Sequence, residues 1–225
     1  MCGRYGIQST ERELLSRFDL TKIAEQIPMS FNVAPGATMP VVVKQSPNSL
    51  ELMRWGLVPR WAKDLDHGLK TINARAETVA EKPMYRKLLG SQRCLVPASG
   101  FYEWQKTPKG KQPYWIRLKS EELFAFAGLW DTWHDPDGGE LHTYTIITCA
   151  PNKLMEPIHN RMPVILRRED EESWLDPDTV ESEQLVPLLR PYAAAEMEAW
   201  PVSRRVNNPL IDSEQLIEPL GESRL

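Results

Sequence analysis

The chain has 225 residues, 41% of them hydrophobic, which is enough to bury a sizeable core in one large domain or two small ones. Its 27 Lys and Arg against 31 Asp and Glu give a net charge of −4, which excludes a protein that coats nucleic acid through bulk positive charge. Any nucleic-acid site must therefore be a local basic groove. Charged residues interrupt the N-terminal segment, and no stretch reaches the ~20 apolar residues of a spanning helix, so we expect neither a signal peptide nor membrane insertion.

The three cysteines, Cys2, Cys94 and Cys149, have no C-x-x-C spacing, and their odd number does not favour a disulfide framework. No pair of His or Cys residues has the spacing of zinc ligands. We therefore expect a reducing, cytoplasmic setting and neither a metal nor another cofactor.

The predicted elements begin with a short amphipathic helix at residues 10–18, where Thr10 and Glu13 have the spacing of a capping box. Residues 31–36 are predicted to form a loop. Alternating runs joined by a turn at 46–49 predict a hairpin. Its strands are expected at 39–44 and 50–55, and further strands at 94–97, 100–106, 114–118, 123–130 and 144–149.

The last third of the chain changes character, with helices predicted at 169–174 and 182–189 and a strand at 197–202. Helices then decorate a sheet rather than alternate with strands, which favours an α+β fold over a doubly wound one. We expect a single compact domain over residues 1–225, with a mainly antiparallel, barrel-like β core decorated by short helices. Its core should span about 2–207, and an extended tail at 208–225 should pack through Leu210, Ile211, Leu216 and Ile217.

Removing Met1 would leave Cys2 with a free α-amine and a thiol on adjacent carbons. An α-amine has a pKa of about 7.7–8.0 and a thiol about 8.5, so each is a usable nucleophile part of the time near neutral pH. An aldehyde can condense with the amine to a Schiff base, which the sulfur then closes into a thiazolidine. The alternative is that Cys2 is an ordinary residue on a frayed chain end.

Two strand-like segments carry polar residues of interest. Asn73, Arg75 and Glu77 share one face if their segment is extended, although an exposed strand edge has the same pattern. Glu103 lies among three aromatic residues, where burial would raise its pKa into the range of a proton shuttle. A solvent-facing Glu on an alternating strand is the alternative.

His159 lies in a loop ahead of the apolar run 164–166 and is the best placed of the four histidines, although a lone His is more often a packing or capping residue than a catalyst. Guanidinium groups bind phosphates and indoles stack on bases, the combination found in single-strand-binding grooves. Tryptophans at this density are also ordinary core residues. The residues concerned are Arg4, Arg54, Trp55, Arg60 and Trp61, with Arg75 and Arg161 nearby if the loops converge.

Taken together, six motifs in register resemble the SRAP (SOS response-associated peptidase) family. They are Cys-Gly-Arg at 2–4, Asn-Val-Ala-Pro-Gly at 32–36, Trp-Gly-Leu-Val-Pro at 55–59, Asn-Ala-Arg-Ala-Glu at 73–77, Gly-Phe-Tyr-Glu-Trp at 100–104 and His-Asn-Arg-Met-Pro at 159–163. The resemblance runs from Cys2 to about Asn207. It implies a compact, mostly β domain of the DNA damage response that binds single-stranded DNA and crosslinks itself to abasic sites, whose C1′ aldehyde is the electrophile.

The resemblance also implies a role for each matched residue. Cys2 is the nucleophile, Asn73 positions its amine and the opened sugar, and Glu103 shuttles protons in ring closure and reversal. His159 promotes opening of the deoxyribose or β-elimination, which is an abasic-site lyase activity. Phosphates are held by Arg4, Arg75 and Arg161, and the groove is lined by Trp55, Trp61 and Trp104.

One departure concerns DNA stacking: where a form of the family motif has paired tryptophans, this chain has Trp61-Ala62. The peptidase name refers to exposing Cys2 by removing Met1, either by the site itself or by methionine aminopeptidase. The expected partners are single-stranded DNA with abasic sites and proteins of the replication fork. We expect a monomer that is cytoplasmic or, in a bacterium, associated with the nucleoid. Two alternatives stay open, a cysteine peptidase acting in trans through Cys2 and His159 and a non-catalytic single-strand-binding module.

Overall fold

The computed structural model describes residues 2–20, 27–44, 48–135 and 138–221. Its α-helices are α1 (Glu11–Phe18), α2 (Pro83–Ser91), α3 (Arg168–Leu175) and α4 (Ser182–Leu185). Short 3-10 helices lie at Leu65–Lys70, Ala76–Thr78, Val186–Leu188, Ala194–Glu196, Arg204–Asn207 and Glu214–Leu216. The strands are β1 (Tyr5–Ile7), β2 (Ser30–Val33), β3 (Thr38–Val43), β4 (Ser49–Trp55), β5 (Asn73–Arg75), β6 (Arg93–Ala98), β7 (Gly100–Thr107), β8 (Gly110–Leu118), β9 (Phe124–His134), β10 (Glu140–Cys149), β11 (Met162–Pro163) and β12 (Met197–Pro201).

Five of these strands close into a barrel. Antiparallel pairs join β4 to β3, β3 to β6, β6 to β9 and β9 to β10. A short parallel pairing of β10 with β4, in which Tyr144 lies opposite Trp55, completes the ring. Beyond these contacts β10 continues between β5 and β11. The expected single domain with a mainly antiparallel, barrel-like core and few short helices is confirmed.

Aromatic side chains of β1 and of the barrel strands pack together. The ring of Tyr5 packs edge-on against two other rings. Its centroid lies 5.2 Å from that of Trp55 and 5.9 Å from that of Phe126. The hydroxyl groups of Tyr5 and Tyr144 lie 2.8 Å apart, so each satisfies the other in a fully buried position. Since the polar tips are paired and the apolar rings are buried, this cluster is part of the hydrophobic core that joins the barrel to β1.

A second, antiparallel sheet has the order β12-β8-β7-β1-β2 and packs beside the barrel. Gly6 on β1 lies opposite Gly100 on β7, and the ring of Trp115 covers both. A Cβ at Gly100 would collide with that ring, so the glycine is required by a close approach of side chain to backbone. This close packing sets the position of the N-terminal segment.

The sequence predicts most elements correctly and misses others for identifiable reasons. Helix α1 has the expected capping box, with the Thr10 side chain accepting from the Glu13 N–H. The loop predicted at 31–36 is wrong in its first half, because Phe31–Val33 belong to β2, where Val33 pairs with Tyr5. Helix α2 was not predicted, although a proline in its first turn is a typical start signal. The helix expected at 182–189 ends early and continues as a 3-10 turn.

The predicted strands at 39–44, 50–55, 94–97, 100–106, 114–118, 123–130, 144–149 and 197–202 each coincide with an observed strand. Part of the predicted turn, at 46–47, lies outside the described residues. In the described part of the chain, no helix has both the length and the apolar character needed to cross a membrane.

The segment after residue 207 packs on the second sheet. Leu216 is buried in a cluster that includes Trp115 and Trp200, with Ile211 and Ile217 partly buried against it. The Leu220 N–H donates to the Pro201 carbonyl at 2.8 Å. Leu210 is 90% exposed, so the expectation that it packs is wrong.

Candidate active site

The N-terminal segment continues the pairing of β1 with β7. The Tyr102 N–H donates to the Arg4 carbonyl at 2.9 Å, one residue beyond the strand itself. This register directs Cys2 toward Glu103, and the Cys2 side chain is fully buried. The alternative of a frayed chain end is therefore wrong for Cys2.

Burial changes the acidity of the Cys2 thiol. Its Sγ approaches the Arg4 carbonyl at 4.0 Å, and both desolvation and the nearby Glu103 carboxylate raise the thiol pKa far above its ordinary value. The expectation that this thiol ionises by itself near neutral pH is wrong. Nucleophilic attack by its sulfur needs a base in the site.

Glu103 lies on β7 and is only 2% exposed. Desolvation raises the pKa of its carboxyl group from 4.5 to about 7. The solvent-facing alternative is therefore wrong for Glu103. A group with this pKa is divided between acid and carboxylate at neutral pH, which suits it to accept and return a proton.

His159 comes from a loop held against β7 by a hydrogen bond from Gln105 Nε2 to the Pro157 carbonyl, 3.0 Å long. Its Nδ1 lies 3.9 Å from Glu103 Oε1. The backbone of Arg161 offers Nδ1 both a donor at 3.1 Å and an acceptor at 3.2 Å. The ring can thus keep one orientation in both protonation states, and burial lowers its pKa so that the neutral form dominates near pH 7.

Asn73 begins β5, which runs parallel to β10 with Asn73 opposite Ile146. Its Nδ2 donates to the Ile72 carbonyl at 2.9 Å and more weakly to the Ile146 carbonyl at 3.4 Å. Its Oδ1 is buried and has no hydrogen-bond partner among the described residues. A buried acceptor held by its own amide group is available to a donor on a ligand.

The predicted phosphate-binding arginines are in different situations. Arg4 donates to Asn32 Oδ1 at 2.8 Å and to the Val206 carbonyl at 3.0 Å. Arg161 makes two hydrogen bonds to Glu77, at 2.5 and 2.9 Å, and a third to the Thr148 carbonyl. Both guanidinium groups therefore stabilise the protein around the site.

Arg75, by contrast, is exposed at the end of β5. Glu77 does not share its strand face, because the chain turns into a 3-10 helix at Ala76. Among the three predicted arginines, Arg75 has the most freely accessible charge.

The three tryptophans predicted to line the groove differ in their exposure to solvent. Trp55 is fully buried in the barrel, where its Nε1 donates to the Ile72 carbonyl at 3.0 Å, so the expectation that it lines a DNA groove is wrong. Trp61 is 64% exposed, with its ring edge-on to His67. Trp104 is half-buried and donates from Nε1 to Asn207 Oδ1 at 2.8 Å. The two tryptophans that can contact a ligand are thus Trp61 and Trp104.

A cavity of about 460 Å³ opens onto these groups. Glu103 and His159 lie in it together with Trp104, and its remaining lining comes from two lysines and an asparagine that the motifs did not single out: Lys106, Lys111 and Asn207. A larger cavity of about 590 Å³ lies elsewhere, around Arg12 and Arg117. The smaller cavity is the candidate site because it contains the carboxyl group with the raised pKa.

Asn32 is a further residue that the sequence alone did not assign. It is 4% exposed, accepts from Arg4, and donates from Nδ2 to the Ile211 carbonyl at 2.6 Å and the Asn208 carbonyl at 3.1 Å. It thereby ties the C-terminal segment to the N-terminal one. The 32–36 motif indicated that Asn32 is important. It could not indicate this role, because the two carbonyl groups that Asn32 binds are nearly 180 residues away in sequence.

No cluster of three or more His, Cys, Asp or Glu side chains within the described ranges has a geometry that could hold a metal ion.

The fold and the site define a class of protein in which the cysteine at position 2 is buried near a carboxyl group, which shares a cavity with an imidazole beside a closed β-barrel. The model of the family described as SOS response associated peptidase (SRAP) matches residues 1–209, and the chain belongs to this family.

Named relatives agree with this assignment. The abasic site processing protein YoqW of Bacillus subtilis is 49% identical over 223 residues, covering 97% of this chain and 99% of the relative. The abasic site processing protein HMCES of Gallus gallus is 38% identical, covering 85% of this chain and 66% of the relative. A crystal structure of a protein from Bacteroides thetaiotaomicron has a TM-score of 0.84 at 27% identity, covering 97% of this chain and 99% of the other.

Proposed function

We propose that this protein processes abasic sites in single-stranded DNA by forming a covalent DNA–protein crosslink through Cys2. Relatives along nearly the whole chain are named abasic site processing proteins. The single observation that carries the proposal is the burial of the Cys2 thiol beside Glu103, which shares a cavity with His159. An abasic sugar in its open form supplies the aldehyde that a 1,2-aminothiol captures.

The first bond forms between the Cys2 nitrogen and C1′ of the sugar, after Met1 has been removed. The amine adds to the aldehyde, and loss of water leaves an imine. The Asn73 Oδ1 acceptor supports this step, since it can orient an N–H of the amine. Either the site itself or methionine aminopeptidase removes Met1 in this scheme.

The second bond closes the thiazolidine. The Cys2 sulfur adds to the imine carbon, and the proton of the thiol ends on the ring nitrogen, so no other atom is gained or lost. Because burial keeps the thiol protonated, a base must take that proton as the sulfur attacks. Glu103, with its pKa near 7, accepts it and returns it to nitrogen, and the same steps in reverse release the DNA.

His159 acts on the sugar before capture. Opening the deoxyribose ring moves a proton from the C1′ hydroxyl to the ring oxygen, and a neutral imidazole held by Arg161 can pass it. The same ring, placed near C2′, can remove the proton whose loss expels the 3′ phosphate, which is the lyase reaction.

A denaturing gel of the protein with an abasic single-stranded oligonucleotide tests the proposal. The wild type and Cys94→Ala, which removes another buried thiol, should give a band of slow mobility that survives denaturation. Cys2→Ala should give none when reducing agents that trap imines are omitted. An equal yield from Cys2→Ala would falsify the assignment of the nucleophile.

Intact mass spectrometry of the same samples distinguishes the alternatives. We expect the protein to lose the mass of Met1. On reaction with the abasic oligonucleotide, it should then gain the mass of the oligonucleotide minus one water. Turnover of peptide substrates without such an adduct would favour a peptidase acting in trans. Unchanged DNA binding without any adduct in the wild type would favour a non-catalytic binding module.

A further inference from the structure

Two lysines stand at the edge of the candidate site without a role in any of the six motifs. Lys106 on β7 and Lys111 on β8 line the same cavity as Glu103 and His159. They lie directly opposite each other in the β7–β8 ladder. Side chains in such positions have Cβ atoms roughly 4.5–5.5 Å apart, and like charges there repel. An anion between them would remove the repulsion and interact with both charges.

These lysines differ from the arginines that surround the site. Arg4 and Arg161 are held by protein acceptors, whereas within the described ranges neither ammonium group has a hydrogen bond or ion pair. Both lysines are exposed, so a ligand can reach them. Their charges also act on the cavity interior, since both contribute to the lowered pKa of His159.

The neighbouring groups indicate which anion fits. Trp104, half-buried in the same cavity wall, offers a surface on which a base or sugar can stack. A lysine ammonium group is a point charge, and it binds phosphate well in that form. Arginine instead forms two parallel hydrogen bonds to an anion such as a carboxylate, and lysine has no such planar geometry. In a chain of net charge −4, DNA binding depends on such local cationic groups.

We propose that Lys106 and Lys111 together bind the phosphodiester adjacent to the nucleotide that reacts with Cys2. This inference rests on the proposed function. It assigns the lysine pair as the point where the DNA backbone leaves the cavity. The lysines hold the strand while the reacting sugar reaches Glu103 and His159.

Salt-dependent binding tests the inference separately from the crosslinking reaction. The ligand is a fluorescent single-stranded oligonucleotide containing a tetrahydrofuran residue, which resembles an abasic sugar but has no aldehyde. Its affinity is measured by anisotropy over a range of salt concentrations for the wild type, for the double variant Lys106→Gln/Lys111→Gln, and for the control Lys109→Gln/Lys119→Gln. The control removes two positive charges from the same hairpin and its end, outside the cavity.

For single strands, the slope of log affinity against log salt changes by about 0.7 for each phosphate that the protein neutralises, so the cavity variant, which loses the two cations on one phosphodiester, should lose about 0.7 from its slope. The control should keep the slope of the wild type. An unchanged slope in the cavity variant, or an equal loss in the control, would overturn the inference.

Free 2-deoxyribose provides the second arm, because it carries the aldehyde but no phosphate. The cavity variant should gain the mass of this sugar minus one water at close to the rate of the wild type, because only the small effect of the two charges on His159 is lost, while its crosslinking to abasic DNA slows much more. Equal slowing with both substrates would mean that the lysines act on the chemistry rather than on a phosphate, and would refute the inference. If the wild type forms no adduct with abasic DNA, the proposed function is wrong. The salt dependence of binding still tests whether the two lysines contact a phosphate, because that experiment does not need the crosslink.

Discussion

Replacing Glu103 with glutamine should stabilise the folded protein above pH 7. The carboxyl group is 2% exposed, and desolvation raises its pKa from 4.5 to about 7. Between these two values the folded state binds more protons than the unfolded state, so the free energy of unfolding falls as the pH rises. Glutamine has nearly the same shape and no charge, and therefore removes this loss.

The magnitude follows from the two pKa values. One pKa unit corresponds to about 1.4 kcal/mol, so ionised Glu103 lowers the free energy of unfolding by about 3 kcal/mol above pH 7 relative to pH 4. This destabilisation fits a group retained for proton transfer rather than for stability. The attraction between Lys111 and the carboxylate is already included in the pKa of about 7, and it is lost together with the charge in Glu103→Gln.

Urea unfolding followed by tryptophan fluorescence from pH 4 to pH 8.5 measures the effect. The free-energy difference between Glu103→Gln and the wild type should increase with pH through this range. Glu77→Gln is the control of opposite sign, because hydrogen bonds from Arg161 lower the pKa of Glu77, so that its stabilising effect is lost as the pH falls. A Glu103→Gln difference that does not change with pH would refute the argument from burial.

Three further predictions concern packing and stacking around the site. Trp61→Ala should leave the free energy of unfolding nearly unchanged but weaken DNA binding by about 1–3 kcal/mol in a fluorescence titration, because the ring is 64% exposed and available to a base; a loss of stability with normal binding would contradict this. Asn32→Ala should destabilise the protein by roughly 2–3 kcal/mol in urea unfolding, since it leaves Arg4 and several carbonyl groups without their partner; a change below about 0.5 kcal/mol would show that these bonds are replaced by water. Gly100→Ala should lower the melting temperature, with a cost of about 1–3 kcal/mol or more, because its Cβ collides with Trp115; an unchanged melting temperature would mean that this ring moves aside easily.

Much of the secondary structure follows from local patterns. The capping box at Thr10 and Glu13 marks the start of α1, and alternation of apolar residues marks the long strands, because these signals depend on neighbours within a few residues. β2 was missed for the opposite reason. The four residues of β2 form a strand through their pairing with β1, which is distant in sequence.

In the candidate site, too, some features follow from local sequence and others depend on segments that are distant in the chain. The motifs brought Cys2, Asn73, Glu103 and His159 together as a hypothesis, and the structure places Glu103 and His159 in one cavity, with the buried Cys2 thiol near the Glu103 carboxyl group. The motifs could not show which aromatic and basic residues remain available to DNA. Trp55 has the same side chain as Trp61, yet one is fully buried and the other 64% exposed.

By itself, the sequence determined the class of fold, the candidates for the nucleophile and the acid–base groups, and the absence of bulk positive charge. Only the tertiary structure decided that the Cys2 thiol is kept protonated, that Glu103 titrates near neutral pH, and that the available cations at the cavity are lysines on a hairpin. The physical reason is that acidity and accessibility depend on the surroundings of a group. In this chain those surroundings are assembled by strand pairing between segments as far apart as residues 5 and 101.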